Sequence, residues 1–200
     1  MSQRKVFTVI AGINGAGKTS LYHVLKHTDD LGRRVNIDEL AKRSENWRDP
    51  RVQIQAGREA MAMIMQYIKD GTSFHLETTL PGITIVRQIQ EAKAHGFFIY
   101  LYFVGIDDIQ VAIDRVHNRM SKGGHGIGDS FILKRFSQLN RNLTQILPLC
   151  DGAILFDNTV KFRQIAILEN KRFIDCDHDL PMWFIDLMDT MSQAKEKNTL

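Results

Sequence analysis

The sequence predicts a three-layer α/β/α fold in which a parallel sheet of about five strands lies between helices. Three observations carry that expectation. Apolar runs of strand length alternate with segments of helical periodicity along the 200 residues. The run FFIYLYFV, Phe97 to Val104, is almost unbroken in apolar character, as a central parallel strand covered on both faces requires. A glycine-rich loop, AGINGAGKTS (Ala11 to Ser20), separates the first apolar run from the first helical pattern. With 44% hydrophobic and 24% charged residues the chain has enough apolar surface for one full core, so a single domain over 1–200 is expected.

Val6 to Ile10 is the first strand, and Leu21, Val24 and Leu25 mark a helix from Lys18 to about His27. Arg33 to Asp38 reads as a short second strand ending at a carboxylate, with a short helix starting at Asp38-Glu39-Leu40-Ala41. From Arg51 to Asp70, Ile54, Met61, Ile64, Met65 and Ile68 recur at mostly three- and four-residue steps, giving an amphipathic helix with its methionines in the core and Gly71 as its stop. Ser73 to Thr78 is a third strand. A helix follows Pro81-Gly82 and runs to His95. After the fourth strand, Asp107 caps a helix to about Met120, Ser121 to Asp129 is a basic glycine-rich loop, and a helix from Ser130 to about Leu147 stops before Pro148. Gly152 to Asp157 is the fifth strand. The region 160–200 is a small C-terminal extension, in which Arg163 to Leu168 and Arg172 to Asp175 have the character of further short strands and Pro181 to Lys195 that of a helix.

The net charge of +3 is small for this length, which argues against a general nucleic-acid or membrane-surface binder. No apolar leader with a cleavage site precedes Val6, and no run approaches the ~18 apolar residues of a membrane span. The two cysteines, Cys150 and Cys176, have no metal-ligand spacing, so free thiols and a reducing cytoplasm are expected.

The spacing Gly12-x-x-x-x-Gly17-Lys18-Thr19 is that of a Walker A loop. Its glycines let consecutive backbone N–H groups turn inward around the phosphates of a nucleotide such as ATP, so Gly12, Asn14, Gly15, Ala16, Gly17, Lys18, Thr19 and Ser20 form the expected binding segment. Lys18 reaches the β- and γ-phosphates, Thr19 holds Mg²⁺, and the N-terminus of the following helix faces the same charge. A chance glycine turn has no need of lysine and threonine in register. The guanine-reading segment Asn-Lys-x-Asp is missing from the sequence, and large mechanical ATPases need much more chain. A small phosphotransferase or a nucleotide-gated module remains.

Asp38, at a strand end, is placed to accept a proton from an attacking hydroxyl or to help hold Mg²⁺; the alternative is a helix cap. Glu77, Thr78 and Thr79, at the end of the third strand, offer one carboxylate and two hydroxyls to a polar substrate, and His125 joins them as a substrate-side candidate. Arg115, Arg119, Lys122, Lys134, Arg135 and Arg141 stand against only Asp114 and Asp129. Such a basic helical segment, 107–147, is either a lid closing over phosphates or a solvated surface.

Together, AGINGAGKTS, NIDELA (36–41), QAGREAM (55–61), FHLETTLPG (74–82), KGGHGI (122–127), KRF with RNL (134–136 and 141–143) and LFDNT (155–159) resemble the zeta-toxin-like kinases. The resemblance covers roughly residues 5–160 and is to the shorter, chromosomally encoded bacterial branch. It implies a phosphate-loop kinase fold and an ATP- and Mg²⁺-dependent phosphotransferase acting on a sugar hydroxyl of UDP-N-acetylglucosamine, with a separate antitoxin chain as partner. It further implies Lys18 and Thr19 as phosphate and metal ligands, Asp38 as general base, Glu77 and Thr78 on the substrate, and Arg119 and Arg135 clamping the phosphates. Gly126-Ile127-Gly128 replaces the family's usual acidic residue and proline. Leu133-Lys134 and Gln138 stand where arginines are common. A nucleoside or other small-metabolite kinase, or an ATP-binding regulatory module, are the alternative readings.

Overall fold

The apolar run before the glycine-rich loop lies inside the sheet, because it is buried along almost its whole length and pairs on both edges. In the computed structural model, which describes residues 4–47, 49–124 and 126–197, this strand is β1 (Val6–Ala11). There follow α1 (Lys18–Thr28), β2 (Arg33–Val35), α2 (Ile37–Ala41), α3 (Pro50–Asp70), β3 (Phe74–Thr78), α4 (Ile83–Ala94), β4 (Phe98–Gly105), α5 (Ile109–Ser121) and α6 (Asp129–Ile146). A 3-10 turn (Leu147–Leu149), β5 (Gly152–Asp157), β6 (Arg163–Glu169), β7 (Arg172–Cys176) and α7 (Met182–Lys197) complete the order.

The sheet order is β2-β3-β1-β4-β5-β6-β7. Its first five members run parallel and the last two antiparallel, so the expected five-stranded parallel sheet is present and extended by a C-terminal hairpin. β1 lies between β3 and β4, with Phe7 beside both Phe74 and Ile99 in register. The chain leaves β1 for one side of the sheet and later crosses to the other. Such a reversal opens a crevice at the carboxyl ends of the strands, the usual ligand edge of open α/β sheets.

Helix boundaries follow local chemistry. Asp49 caps α3 by accepting from Arg51 N–H, Pro50 occupies its first turn, and Gly71 ends it in the left-handed region at φ 66°. The buried stripe of α3 is Ala56, Ala60, Ile64 and Ile68 at four-residue spacing. Met61 and Met65 are 36% and 41% exposed, which corrects the expectation that they fill the core. Two alanines and two isoleucines set the contact instead, and of the helix's methionines Met63 packs, partly buried, against the core.

Two capping assignments also change. β2 ends at Val35, and Asn36, not Asp38, caps α2, its Oδ1 accepting from the N–H groups of Asp38 and Glu39 at 3.0 and 3.2 Å. Asp38 is therefore a first-turn residue of α2 rather than a strand-end residue. Asp108, not Asp107, caps α5. The Asp107 carboxylate instead accepts from the backbone N–H groups of Met182 and Trp183 at 3.1 and 2.6 Å, where α7 begins.

Trp183 ties the C-terminal extension to the sheet. Its ring is buried 5.2 Å from Phe103 and lies directly over Gly105, where any side chain would overlap the indole. Its Nε1–H donates to Asp157 Oδ1 at 3.1 Å. Cys150 is buried, which pushes its thiol up to about 12, and neither cysteine is bonded. Among the described residues no helix is long and apolar enough to cross a membrane. Trp183→Ala should lower unfolding free energy by about 3–5 kcal/mol, the cost of emptying a large aromatic site, read as a shift in the urea midpoint.

Candidate functional site

The loop between β1 and α1 has its shape because two of its glycines do what other residues cannot. Gly17 has φ 106° and is the N-cap of α1; a side chain there would meet the Asn158 amide. Gly12 has φ 146°, and a side chain on it would run into the backbone carbonyl of Val104 on β4. No side chain caps α1 and no acidic residue sits in its first turn, so the helix start keeps its partial positive charge for an anion.

The loop is held from outside as well. Asn158 Nδ2 donates to Ala16 O at 2.8 Å, and Arg135 Nη1 donates to Asn14 Oδ1 at 2.6 Å. Arg115 donates to Asn158 O at 2.8 Å and to Thr159 O at 3.4 Å, bracing the turn that follows β5. Inside the loop Lys18 Nζ donates to Ile13 O at 2.9 Å. Burial pulls its pKa down to about 8; the carboxylates of Glu77 and Asp38 raise it in part, and Arg135 and Arg119 lower it further.

Thr19 Oγ1 donates to Glu77 Oε2 at 3.2 Å, so the residue after the lysine faces a carboxylate at the end of β3. Glu77 is buried, and its other oxygen is paired with Arg34 at 2.5 Å. The next turn is strained: Leu80 has φ 54°, is fully buried, and accepts through its carbonyl from Asn142 Nδ2 at 2.7 Å. Thr78 Oγ1 accepts from Leu80 N–H at 3.1 Å, so this hydroxyl braces the turn.

These groups line one cleft of about 810 Å³ at the carboxyl edge of the sheet. Asn14, Gly15, Gly17, Lys18, Thr19 and Ser20 form one wall, Asp38, Glu77, Thr78 and Thr79 another, and Arg119 and Arg135 close over them. Gly12 and Ala16 shape the loop from behind. His125 lies outside the described residues. The sequence reading did not assign Asn36, Ile37, Glu39, Lys42, Gln53, Pro81 or Asn158 to the site, yet all of them line it, as does Arg115 from the basic segment. The available signal for Asn158 was its place one residue past a parallel strand. A smaller hollow of about 240 Å³ between α3 and α4, lined by Met65, Lys69 and His95, holds none of these groups.

No protein-family model matches the chain. It is 30% identical over 137 residues to an uncharacterized protein of Haemophilus influenzae, a match spanning 68% of this chain and 94% of that one. Among solved structures it superimposes on a chain of the PezAT chromosomal toxin-antitoxin system of Streptococcus pneumoniae with a TM-score of 0.63, at 13% identity over 98% of this chain and 86% of the other. It also superimposes on a chain of the AvrRxo1-ORF1:-ORF2 structure with ATP, with a TM-score of 0.67 at 14% identity, over 95% of this chain and 64% of that chain.

An anion in the loop favours the charged form of Lys18, whose pKa burial lowers to about 8. Binding of metal-free ADP, whose phosphates are already fully ionised at about pH 8.5, should therefore take up a fraction of a proton. Calorimetry in buffers of different ionisation enthalpy should show that uptake, and Lys18→Met should abolish it and weaken binding.

Proposed function

We propose that this chain, which belongs to the same family as the uncharacterized Haemophilus influenzae protein and has the zeta-toxin-like phosphate-loop kinase fold, is an ATP-dependent phosphotransferase acting on a hydroxyl of a small metabolite. One observation carries this reading. A half-buried lysine in a phosphate loop, a threonine paired with a carboxylate, a second carboxylate and two arginines face a single cleft.

In the proposed reaction the loop N–H groups and Lys18 hold the β- and γ-phosphates of ATP. Asp38, whose negative charge is felt by both Lys18 and Arg135, accepts the proton of the acceptor hydroxyl. The acceptor oxygen forms a bond to the γ-phosphorus, the bond to the β,γ-bridging oxygen breaks, and ADP leaves with that electron pair. Arg135 and Arg119 stabilise the charge spread over the transferring oxygens, and α5 and α6 act as the lid that carries them.

The donor set fits Mg²⁺. Thr19 and Glu77 present hard oxygens within hydrogen-bond distance of each other, and Asp38 lies in the same cleft. Among the described residues no group of three or more His, Cys, Asp and Glu is placed to hold a metal ion. Thr19, with Glu77 and Asp38 beside it, would hold the ion, which when bound would supply positive charge against the phosphates.

The acceptor wall is polar: Thr78, Thr79, Asn36, Gln53 and Lys42 line it, which suits a hydroxyl-rich metabolite. An amino-sugar nucleotide, UDP-N-acetylglucosamine, is the leading acceptor in this reading, with a nucleoside or other small metabolite next. Such substrates place the protein in the cytoplasm. The toxin-antitoxin relative of the same fold supports a separate antitoxin chain as partner.

Incubation with ATP, Mg²⁺ and a panel of UDP-sugars, nucleosides and amino sugars should yield one phosphorylated product by mass spectrometry. Asp38→Asn should keep the fold, since Asn36 rather than Asp38 caps α2, and should keep ATP affinity. Transfer should fall by ~10²–10⁴-fold, the usual contribution of a positioned base. Full transfer by the asparagine variant would remove Asp38 from the chemistry, and absence of any product would favour a regulatory nucleotide binder.

A further inference from the structure

Arg34 sits in the middle of β2, a strand of only three residues, beside His75 in the parallel register with β3. Its guanidinium uses two nitrogens on two different carboxylates. Nη2 pairs with Glu77 Oε1 at 2.5 Å and Nη1 with Glu39 Oε1 at 2.6 Å. Its flat face lies 3.8 Å from the centre of the Tyr22 ring on α1, the helix that begins at the phosphate loop. Tyr22 stacks in turn on His75 at 5.2 Å. Burial holds the His75 pKa below its usual value, and its Nδ1 bonds to Leu31 O, so the imidazole stays neutral and does not compete for the carboxylates.

The two carboxylates belong to different parts of the cleft. Glu77 is the partner of Thr19, on the proposed metal side, and with only 6% of its side chain exposed it has Arg34 as its direct ion-pair partner, with the Lys18 charge acting on it from the phosphate loop. Glu39 follows Asp38 in a helix of five residues, too short to hold its own orientation without outside contacts. One side chain thus ties the metal-side carboxylate to the helix that carries the proposed base. A planar fork of donors suits such a bridge, and a lysine ammonium, a single point charge, cannot reproduce it.

We propose that Arg34 is a positioning residue for phosphoryl transfer, orienting Glu77 toward Thr19 and the bound metal, and orienting α2, with Asp38, toward the acceptor. This rests on the kinase reading above. The two arms differ in strength. Glu77 is nearly buried and Glu39 is 51% exposed, so the Glu77 arm dominates and the Glu39 arm is the weaker, solvent-screened one.

The test uses the full chain carrying Arg34→Lys or Glu39→Gln, with thermal melting to establish that each variant folds. Arg34→Lys should bind metal-free ADP nearly as wild type does. Its affinity for Mn²⁺ in the ADP complex, read by electron paramagnetic resonance, should fall by about 10–100-fold, the usual effect of losing a group that orients a metal ligand. Its Mg²⁺ requirement for transfer should rise and its kcat fall. Glu39→Gln should lower kcat and leave the Mn²⁺ affinity unchanged. Equal Mn²⁺ affinity in wild type and Arg34→Lys would overturn the proposal, as would a loss confined to melting temperature. The Mn²⁺ titration needs no turnover, so it decides the role of Arg34 even if wild type phosphorylates no acceptor, an outcome that would sink the kinase reading alone.

Discussion

The hydrogen bond from Lys18 Nζ to Ile13 O, made by a half-buried ammonium inside the phosphate loop, is the interaction on which the rest of the site depends. Removing an ammonium from water is costly, and one carbonyl does not compensate it. The balance comes from Glu77 and Asp38 on one side, opposed by Arg135 and Arg119 on the other. Counted over these groups the cleft has three cations and two carboxylates, so an anion entering the loop completes its charge. In the proposed reaction a phosphate oxygen would take the place of the Ile13 carbonyl on Lys18.

Strand order explains how such distant residues meet. Because β1 lies between β3 and β4, the loop that follows β1 faces the ends of β3 and β5 and the helices after β4. The turn after β5 supplies the outer brace: Asn158 holds Ala16, Arg115 holds Asn158, and Asp157 accepts from Thr159 and Trp183. Asp107 then caps α7 at the same place. The C-terminal hairpin and helix therefore back the turn that pins the phosphate loop, which gives the extension a structural reason to be part of the fold.

Much of this was legible from local signals. The loop spacing, the unbroken apolar run of β4 and Gly71 at the end of α3 each express a constraint set within a few residues. The failures share a different origin. Asp38 has the pattern of a strand end, but the stronger capping position of Asn36 two residues earlier starts the helix before it. Met61 and Met65 fit the helical period as well as Ala56 and Ala60 do, and period alone does not say which of them faces inward. Asn158 and Arg34 act through partners far along the chain, 142 residues away for Asn158 and 43 for Arg34 with Glu77, and no local pattern encodes such pairings.

In the proposed reaction Lys18, Thr19, Asp38, Glu77 and Arg135 act as one phosphoryl-transfer site rather than as a passive nucleotide pocket. The most direct measurement is the affinity for Mg²⁺-ADP with and without aluminium fluoride, a mimic of the transferring phosphoryl group, in wild type and in Arg135→Ala. A site built for transfer should bind the ADP–aluminium fluoride complex more tightly than ADP alone, by about a hundredfold or more in wild type. Arg135→Ala should lose most of that gain while keeping its affinity for ADP. Equal affinity for ADP with and without aluminium fluoride in wild type, or an equal gain in both proteins, would contradict the account.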